Sequence, residues 1–518
     1  MLRLGRAATV TPWRWTARLS RNASRSAHLA TSHLDPSIQG FVKKLSNRQP
    51  TFNVRASNIR ILQEPKEFYE CLLDMISRAE KDIFLSSLYI GSKEGELIDS
   101  LHRALHRKPN LRVHLLLDYN RSTRPGSDST ARILLPVIKA FPERIRISLF
   151  RSPKLKGLMA KLVPPRFNEG WGTWHPKIYG VDTEVLLSGA NLNESYFANR
   201  QDRYIHFSHP TLATYCREFL QASSTFMYRL LPSPSDSEGY STHWERTDTH
   251  PHHIEPMARA TLSEFQSRWQ QQSLNPAQHP GSHESANPSE NALIMPIIQG
   301  GQFQIREEED TLALLFNELS SYAAQSSSIS KPYNGPLIDL TSGYFGLYND
   351  YCNLILQSSL RYRIICSSPM ANGFYGSKGV SGRLPEGYTL LEQRFMREVR
   401  HAGLEWLPDQ KVQLEGPGVQ LNEWARDGWT YHAKGIWLRP SPSADPCLTL
   451  FGSTNLNSRS ANLDTELSFM LSTADLDLRR RLGAEVDGLR VYAHAWHGAE
   501  RRVRMGTKAL VALVEGFL

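Results

Sequence analysis

One pattern occurs twice in this chain and dictates its plan. Residues 174–203 read WHPKIYGVDTEVLLSGANLNESYFANRQDR; near residues 431–466, His432 and Lys434 are followed by GSTNLNSRSANLDTE. With the NLN triplets superposed, His175 pairs with His432, Lys177 with Lys434, Asn191 with Asn455, Asn193 with Asn457, and Asp202 with Glu466. The histidines stand 257 positions apart. A duplication of that length predicts two similar lobes rather than one continuous domain.

The residue types specify a chemistry. On a strand, His and Lys two positions apart point to the same face. The apolar run 185–187 then reads as a return strand, ending in a small-residue turn that presents an Asn beside the pair. One copy makes half a phosphate site. Two copies facing each other place an imidazole on either side of one phosphorus. One ring attacks and the other protonates the leaving oxygen, while Lys and Asn hold the non-bridging oxygens.

The copies are unequal. His175 and Lys177 are followed by Asp182, whereas Arg439 stands five positions after Lys434 and PSPSADP follows soon after it. The His-to-Asn spacing is therefore 16 residues in the first copy and 23 in the second. Parity and the turn-like GVDT setting place Asp182 at a hairpin bend, as an anchor rather than a proton carrier.

The repetition extends upstream. LSSLYIG at 85–91 matches LTSGYFG at 340–346, and LRVHLLLDY at 111 is loosely matched by LRYRIICSS at 360. Hydropathy patterning predicts helices over 67–78, 97–107 and 133–141, and strands over 82–89, 111–118 and 145–150. Strands alternating with helices mean an α/β class. We expect two lobes, each a mixed β-sheet flanked by helices and related by pseudo-twofold symmetry, with the cleft between them. The expected boundaries are a leader over 1–45, a first lobe over 46–240, a low-complexity linker over 241–292 and a second lobe over 293–518. A helix over 258–271 is the one regular element expected in the linker. Its histidines, His243, His250, His252 and His253, lack the Cys partners and spacing of a metal site.

Net charge invites a nucleic-acid reading, but its distribution argues against one. Six arginines and no acid in the first 34 residues account for six of the nine net positive charges. That Arg-, Ser- and Ala-rich leader has the character of a mitochondrial transit peptide. Five cysteines form no CxxC pair and fit reduced thiols. No stretch of 18 uninterrupted apolar residues is present, so any membrane association is expected to be peripheral. Two basic, apolar stretches suit an anionic bilayer surface: 151–167 (RSPKLKGLMAKLVPPRF) and the C-terminal RRVRMGTKALVALVEGFL.

The duplicated HxK elements resemble the HxKxxxxD signature of the phospholipase D superfamily. Within it, SSLYIGSKEGEL, LLPVIKAFPERIRISLF, SGANLNESYFANRQDRY, MANGFYGSKGVSGRLPEGY and WTYHAKGIWL are similar to the mitochondrial phosphatidylglycerophosphate synthases. The resemblance spans about residues 80 to 460 and marks 275–291 as a local insertion. It implies transfer of a phosphatidyl group from CDP-diacylglycerol to glycerol 3-phosphate, by a peripheral enzyme on the matrix side of the inner membrane that feeds cardiolipin synthesis. It implies no metal; no other cofactor is expected, and the charge distribution predicts no nucleic-acid partner.

In that reading His175, Lys177, Asp182, His432 and Lys434 form the catalytic elements. Asn191, Asn193, Asn455 and Asn457 hold phosphate, and Asp202 and Glu466 orient the imidazoles. Arg200, Arg203 and Lys378 are candidates for the acceptor's phosphate. The resemblance also implies nucleotide contact at Ser87, Leu88, Tyr89, Ile90, Gly91, Ser92, Lys93 and Glu94. GSKEGE there lacks the GKS or GKT of a Walker A loop and reads as a tight strand-to-helix turn, with the donor's cytidine its natural contact. Cardiolipin synthase, phosphatidylserine synthase and a lipid-binding pseudoenzyme are the alternatives.

Overall fold

The computed structural model describes residues 31–126, 128–165, 167–274, 287–326, 334–406, 416–514 and 516. The first thirty residues of the leader and most of the 275–291 insertion lie outside them. Two mixed sheets carry the fold. The first has nine strands, in spatial order Tyr240–His243, Tyr228–Pro232, Ile145–Phe150, Arg112–Asp118, Asp82–Ser86, Ile178–Val181, Glu184–Ser188, Tyr204–Ser208 and Ile59–Leu62. The second runs Phe52–Arg55, Asn291–Gly300, Glu466–Thr473, Leu448–Gly452, Lys434–Arg439, Leu337–Ser342, Arg361–Ser367, Gly418–Trp424 and Ala493–Ala495, with Ile305–Arg306 paired to its second strand.

The sheets repeat one plan. In each, three parallel strands meet an antiparallel hairpin. Asp82–Ser86 lies between Arg112–Asp118, parallel, and Ile178–Val181, antiparallel. Leu337–Ser342 lies likewise between Arg361–Ser367 and Lys434–Arg439. The internal match LSSLYIG/LTSGYFG therefore marks equivalent central strands. Both are buried on both faces, which is why they read as apolar runs rather than alternations. The helix Pro65–Arg78 covers the first sheet: a proline and a Glu64–Glu67 capping box start it, and Phe68, Leu72, Met75 and Ile76 form its buried stripe.

Two stretches depart from the expected boundaries. The helix Pro36–Ser46, expected within the leader, buries Ile38, Phe41, Val42 and Leu45 in the core of the second lobe. Phe52–Arg55 then pairs antiparallel with the start of Asn291–Gly300, so this segment lies on the second lobe before the chain enters the first. Most of the expected linker is structured. The helix Glu255–Leu274 buries Leu262, Phe265 and Trp269 against Pro210–Ser224, and the range 241–292 ends inside a fully buried strand. That helix is the one expected over 258–271, three residues longer at each end.

The lobes meet through a continuous apolar core. Phe207 of the first stacks on Phe451 of the second at 6.0 Å between centroids, with Trp174, Phe303 and Phe469 in the same cluster. Arg203 crosses this junction. It makes two hydrogen bonds to Glu485 at 2.8 and 2.9 Å, donates to the Leu450 carbonyl and the Thr449 hydroxyl, and lies 3.7 Å over the Trp437 ring.

Candidate active site

Each HxK element sits at the mouth of its strand. His175 and Lys177 precede Ile178–Val181, because Pro176 between them has no N–H to continue the ladder. In the second copy Lys434 itself opens the strand Lys434–Arg439. Matching hydroxyls brace both mouths. Ser86 donates to the Pro176 carbonyl and accepts from the Trp174 indole, each at 2.8 Å. Thr341, in the equivalent strand, bonds the Tyr431 hydroxyl at 2.5 Å. Buried Asp118 accepts the Trp174 N–H at 3.1 Å. These braces escaped sequence reasoning; the register of LSSLYIG against LTSGYFG was the signal that held them.

The two repeats are interlocked at the histidines. Nδ1 of His175 lies 2.8 Å from the carboxylate of Glu466, and the His175 N–H donates to the Thr465 carbonyl at 3.0 Å. Nδ1 of His432 lies 2.6 Å from Asp202, and the His432 N–H donates to the Gln201 carbonyl at 2.8 Å. Each histidine is thus held by the other repeat, its ring by the carboxylate and its backbone N–H by the peptide immediately before that carboxylate. All four side chains are buried. With Nδ1 turned to a carboxylate, Nε2 is the nitrogen left for chemistry.

The charges are arranged for anions. Burial lowers the His175 pKa, with Glu466 opposing it. Burial and then the Lys434 ammonium hold His432 well below the ordinary imidazole range. Burial also lowers both lysines, Lys177 strongly. Burial alone would raise the two carboxyls. The His175 ring and Lys177 outweigh it at Glu466, bringing it to about 2, and Lys434 and His432 outweigh it at Asp202. Lys434 Nζ sits 3.3 Å from Asp202 and 2.7 Å from His432 Nδ1, whereas Lys177 Nζ is buried with no hydrogen-bond partner among the described residues. An orphaned ammonium beside an open ring nitrogen is a place for a phosphate oxygen.

The other expected residues divide. Asn191 accepts from the Leu88 N–H at 3.3 Å and donates to Tyr196 at 3.1 Å; the Tyr196 hydroxyl in turn lies 3.3 Å from His432 Nε2. Its counterpart Asn455 keeps a buried Oδ1 with no partner among the described residues. Asn193 and Asn457 are N-caps, of the helices Glu194–Ala198 and Ser458–Asn462, a role that uses the amide oxygen and not the amide N–H groups expected to hold phosphate. Asp182, the third member of the first HxK element, stands at φ +49° in the hairpin bend. It accepts the N–H groups of Glu80, Lys81 and Asp82 at 2.8 to 2.9 Å, so it is a fold staple and not part of the reacting cluster. In the second copy Arg439 pairs with Asp339 and Asp487 in the same neighbourhood of the strand pair.

Residues 87–94 do not form a phosphate cradle. The N–H groups of Ser87, Leu88, Ile90 and Gly91 bond Leu116, Asn191, Thr130 and Leu192, and Glu94 accepts the Glu194 N–H, so the loop holds the NLN turn in place. Lys93 pairs with Glu194 across the same contact. Arg203, a candidate for the acceptor, is the inter-lobe tie described above. Lys378 is exposed, while Arg200 lies half-buried beside His432. His175, Asp464 and Glu466 bring ligand-type atoms within 4.8 Å of one another, a spacing that suits a metal ion. Those atoms already have partners: Ser453 and Ser460 donate to Glu466, and Thr173 and Arg459 to Asp464. Within the trio His175 bonds Glu466, while Asp464 is held separately by Thr173 and Arg459.

Two sheets of this topology, closing two HxK elements over one junction, define the phospholipase D class of fold. The phosphatidylserine synthase of Haemophilus influenzae shares it, with a TM-score of 0.64 over 93% of this chain and 98% of that one, at 19% identity. The chain belongs to the family of CDP-diacylglycerol–glycerol-3-phosphate 3-phosphatidyltransferases. It is 34% identical over 505 residues to the mitochondrial protein of that name from Gallus gallus, covering 91% of this chain and 86% of that one. The Homo sapiens protein is 33% identical, covering 91% and 85%, and the Schizosaccharomyces pombe protein 32%, covering 90% and 95%. No protein-family model matches the chain.

Proposed function

We propose that the chain moves the phosphatidyl group of CDP-diacylglycerol to glycerol 3-phosphate, releasing CMP. The crossed pairs His175–Glu466 and His432–Asp202 carry this reading, because they tie one imidazole from each repeat to the carboxylate of the other, with Lys177 and Lys434 buried beside them. Nε2 of His175 attacks the diacylglycerol-bearing phosphorus. The bond from that phosphorus to the bridging oxygen breaks, and His432 delivers a proton to the departing CMP. The anionic donor raises the His432 pKa and supplies the condition for that proton. In the second half, a hydroxyl of glycerol 3-phosphate gives its proton to His432 and attacks the phosphatidyl-histidine, freeing His175. Lys177 and Lys434 balance the charge on the non-bridging oxygens.

The relatives' names support this choice over a phosphatidylserine or cardiolipin synthase. Purified protein given CDP-diacylglycerol with labelled glycerol 3-phosphate, serine or phosphatidylglycerol should label phosphatidylglycerophosphate alone. Labelled phosphatidylserine or cardiolipin instead would replace the reading.

The proposed setting is the matrix face of the mitochondrial inner membrane, reached through the basic leader and held peripherally. Several relatives are named mitochondrial, and no helix among the described residues is long and apolar enough to cross a membrane. The basic stretch 151–167 exposes Leu162 and Phe167, and the C-terminal helix Met505–Val514 exposes Met505 and Leu513. Charge reversal at Lys154, Lys156 and Lys161 should weaken binding to anionic liposomes; unchanged binding rejects the first stretch as a contact.

A further inference from the structure

The two halves of the junction differ in one cation. The position of the second repeat that matches Arg200 is Asp464, whose carboxylate pairs with Arg459 at 3.0 Å beside His175. On the His432 side the charge is not neutralised. Arg200–Gln201 pairs with Thr430–Tyr431, which brings the Arg200 side chain next to the second HxK element. Its Nε donates to the Thr430 hydroxyl at 2.9 Å, its guanidinium lies 4.6 Å over the Tyr196 ring, and no carboxylate among the described residues ion-pairs with it.

Of the other guanidinium nitrogens, Nη2 lies beside Gly373, and the group also interacts with the Tyr196 hydroxyl. A Cβ built on Gly373 would lie 2.8 Å from Nη2 of Arg200 and 3.0 Å from the Tyr344 hydroxyl, so the glycine keeps both groups clear. Tyr344 and Tyr196 stand edge-on to His432, with centroids 5.3 and 5.1 Å from it. A fork of guanidinium donors with a phenol beside it, and no acid to neutralise it, matches a phosphate.

We propose that Arg200 and the Tyr344 hydroxyl form a second anion site that takes the phosphate of the acceptor glycerol 3-phosphate. The proposal rests on the transferase reading above and adds the acceptor's position to it. With its phosphate there, the acceptor lies on the His432 side. Its hydroxyl proton passes to Nε2 of His432 as the oxygen bonds to phosphorus and the bond from phosphorus to His175 breaks. CMP departs on the same side and competes with the acceptor for the site.

The test compares kcat/KM for glycerol 3-phosphate with kcat/KM for glycerol, which lacks the phosphate, in the full chain. In Arg200→Gln the ratio should fall about 10- to 100-fold, the size of a lost charged hydrogen bond. Gly373→Ala, which crowds both groups without touching the charge, should lower the same ratio, and it carries the test should Arg200→Gln fail to fold. A ratio within twofold of the wild type in the folded variants overturns the site. So does a rise confined to the KM for CDP-diacylglycerol, which would give Arg200 to the donor. Wild-type protein that makes no lipid product from glycerol 3-phosphate is a different result, and refutes the transferase reading itself.

Discussion

His175 and Glu466 stand 291 positions apart and are joined twice, through the imidazole and carboxylate and through the peptide before the carboxylate. His432 and Asp202 repeat the arrangement in the opposite sense. Neither lobe therefore contains a complete histidine relay.

Glu466→Gln keeps the shape and removes the charge. We expect kcat to fall about 10²- to 10⁴-fold, the range for a catalytic imidazole that loses its orienting carboxylate. Glu466 opposes the burial that lowers His175, so its loss lowers that pKa further. If the nucleophile is neutral His175, the acid limb of kcat/KM then moves to lower pH. A limb that moves upward would assign the titration to another group.

Arg203→Ala should act on stability rather than on acceptor binding. It strands Glu485, itself buried, and removes the tie between lobes, costing about 3–5 kcal/mol. Urea unfolding measures the loss, and the KM for glycerol 3-phosphate should hold. A raised KM at wild-type stability would return Arg203 to the substrate.

Asp182→Ala releases three N–H groups and places an alanine at positive φ. A loss of about 1–3 kcal/mol with kcat near the wild-type value is expected. A collapse of kcat in a fully stable protein would give Asp182 a part in the reaction.

Glu308 offers a pH test. Burial, followed by the nearby Glu466 charge, pushes its carboxyl up to about 8, while its Oε1 accepts from Tyr351 and Thr454. A raised folded pKa gives stability that is complete below about 4.5, the ordinary glutamate value, and is lost as pH rises through 8. Glu308→Gln retains the acceptor and should flatten the decline in unfolding free energy between pH 5 and 8. An unchanged slope would show that Glu308 does not hold a proton there.

Much of this was legible in the chain. The HxK pairs, the NLN turns and the LSSLYIG/LTSGYFG match gave two lobes and one shared site, because period and repetition are local properties. The crossing of the carboxylates was not legible, since it depends on how the lobes dock and each acid lies 27 or 34 positions from the histidine of its own repeat. The same docking hides Arg203, which sits beside a motif yet points into the core. The helix Pro36–Ser46 is not legible as part of the fold because its apolar stripe adjoins the basic leader and finds its partner only on the distant second lobe.

The central claim is that two imidazoles, one from each repeat, act in turn on one phosphorus. Transfer from a donor made chiral by isotopic or sulfur labelling at that phosphorus tests it directly. Two in-line displacements through phosphatidyl-histidine predict net retention of configuration; net inversion would mean a single displacement and contradict the account.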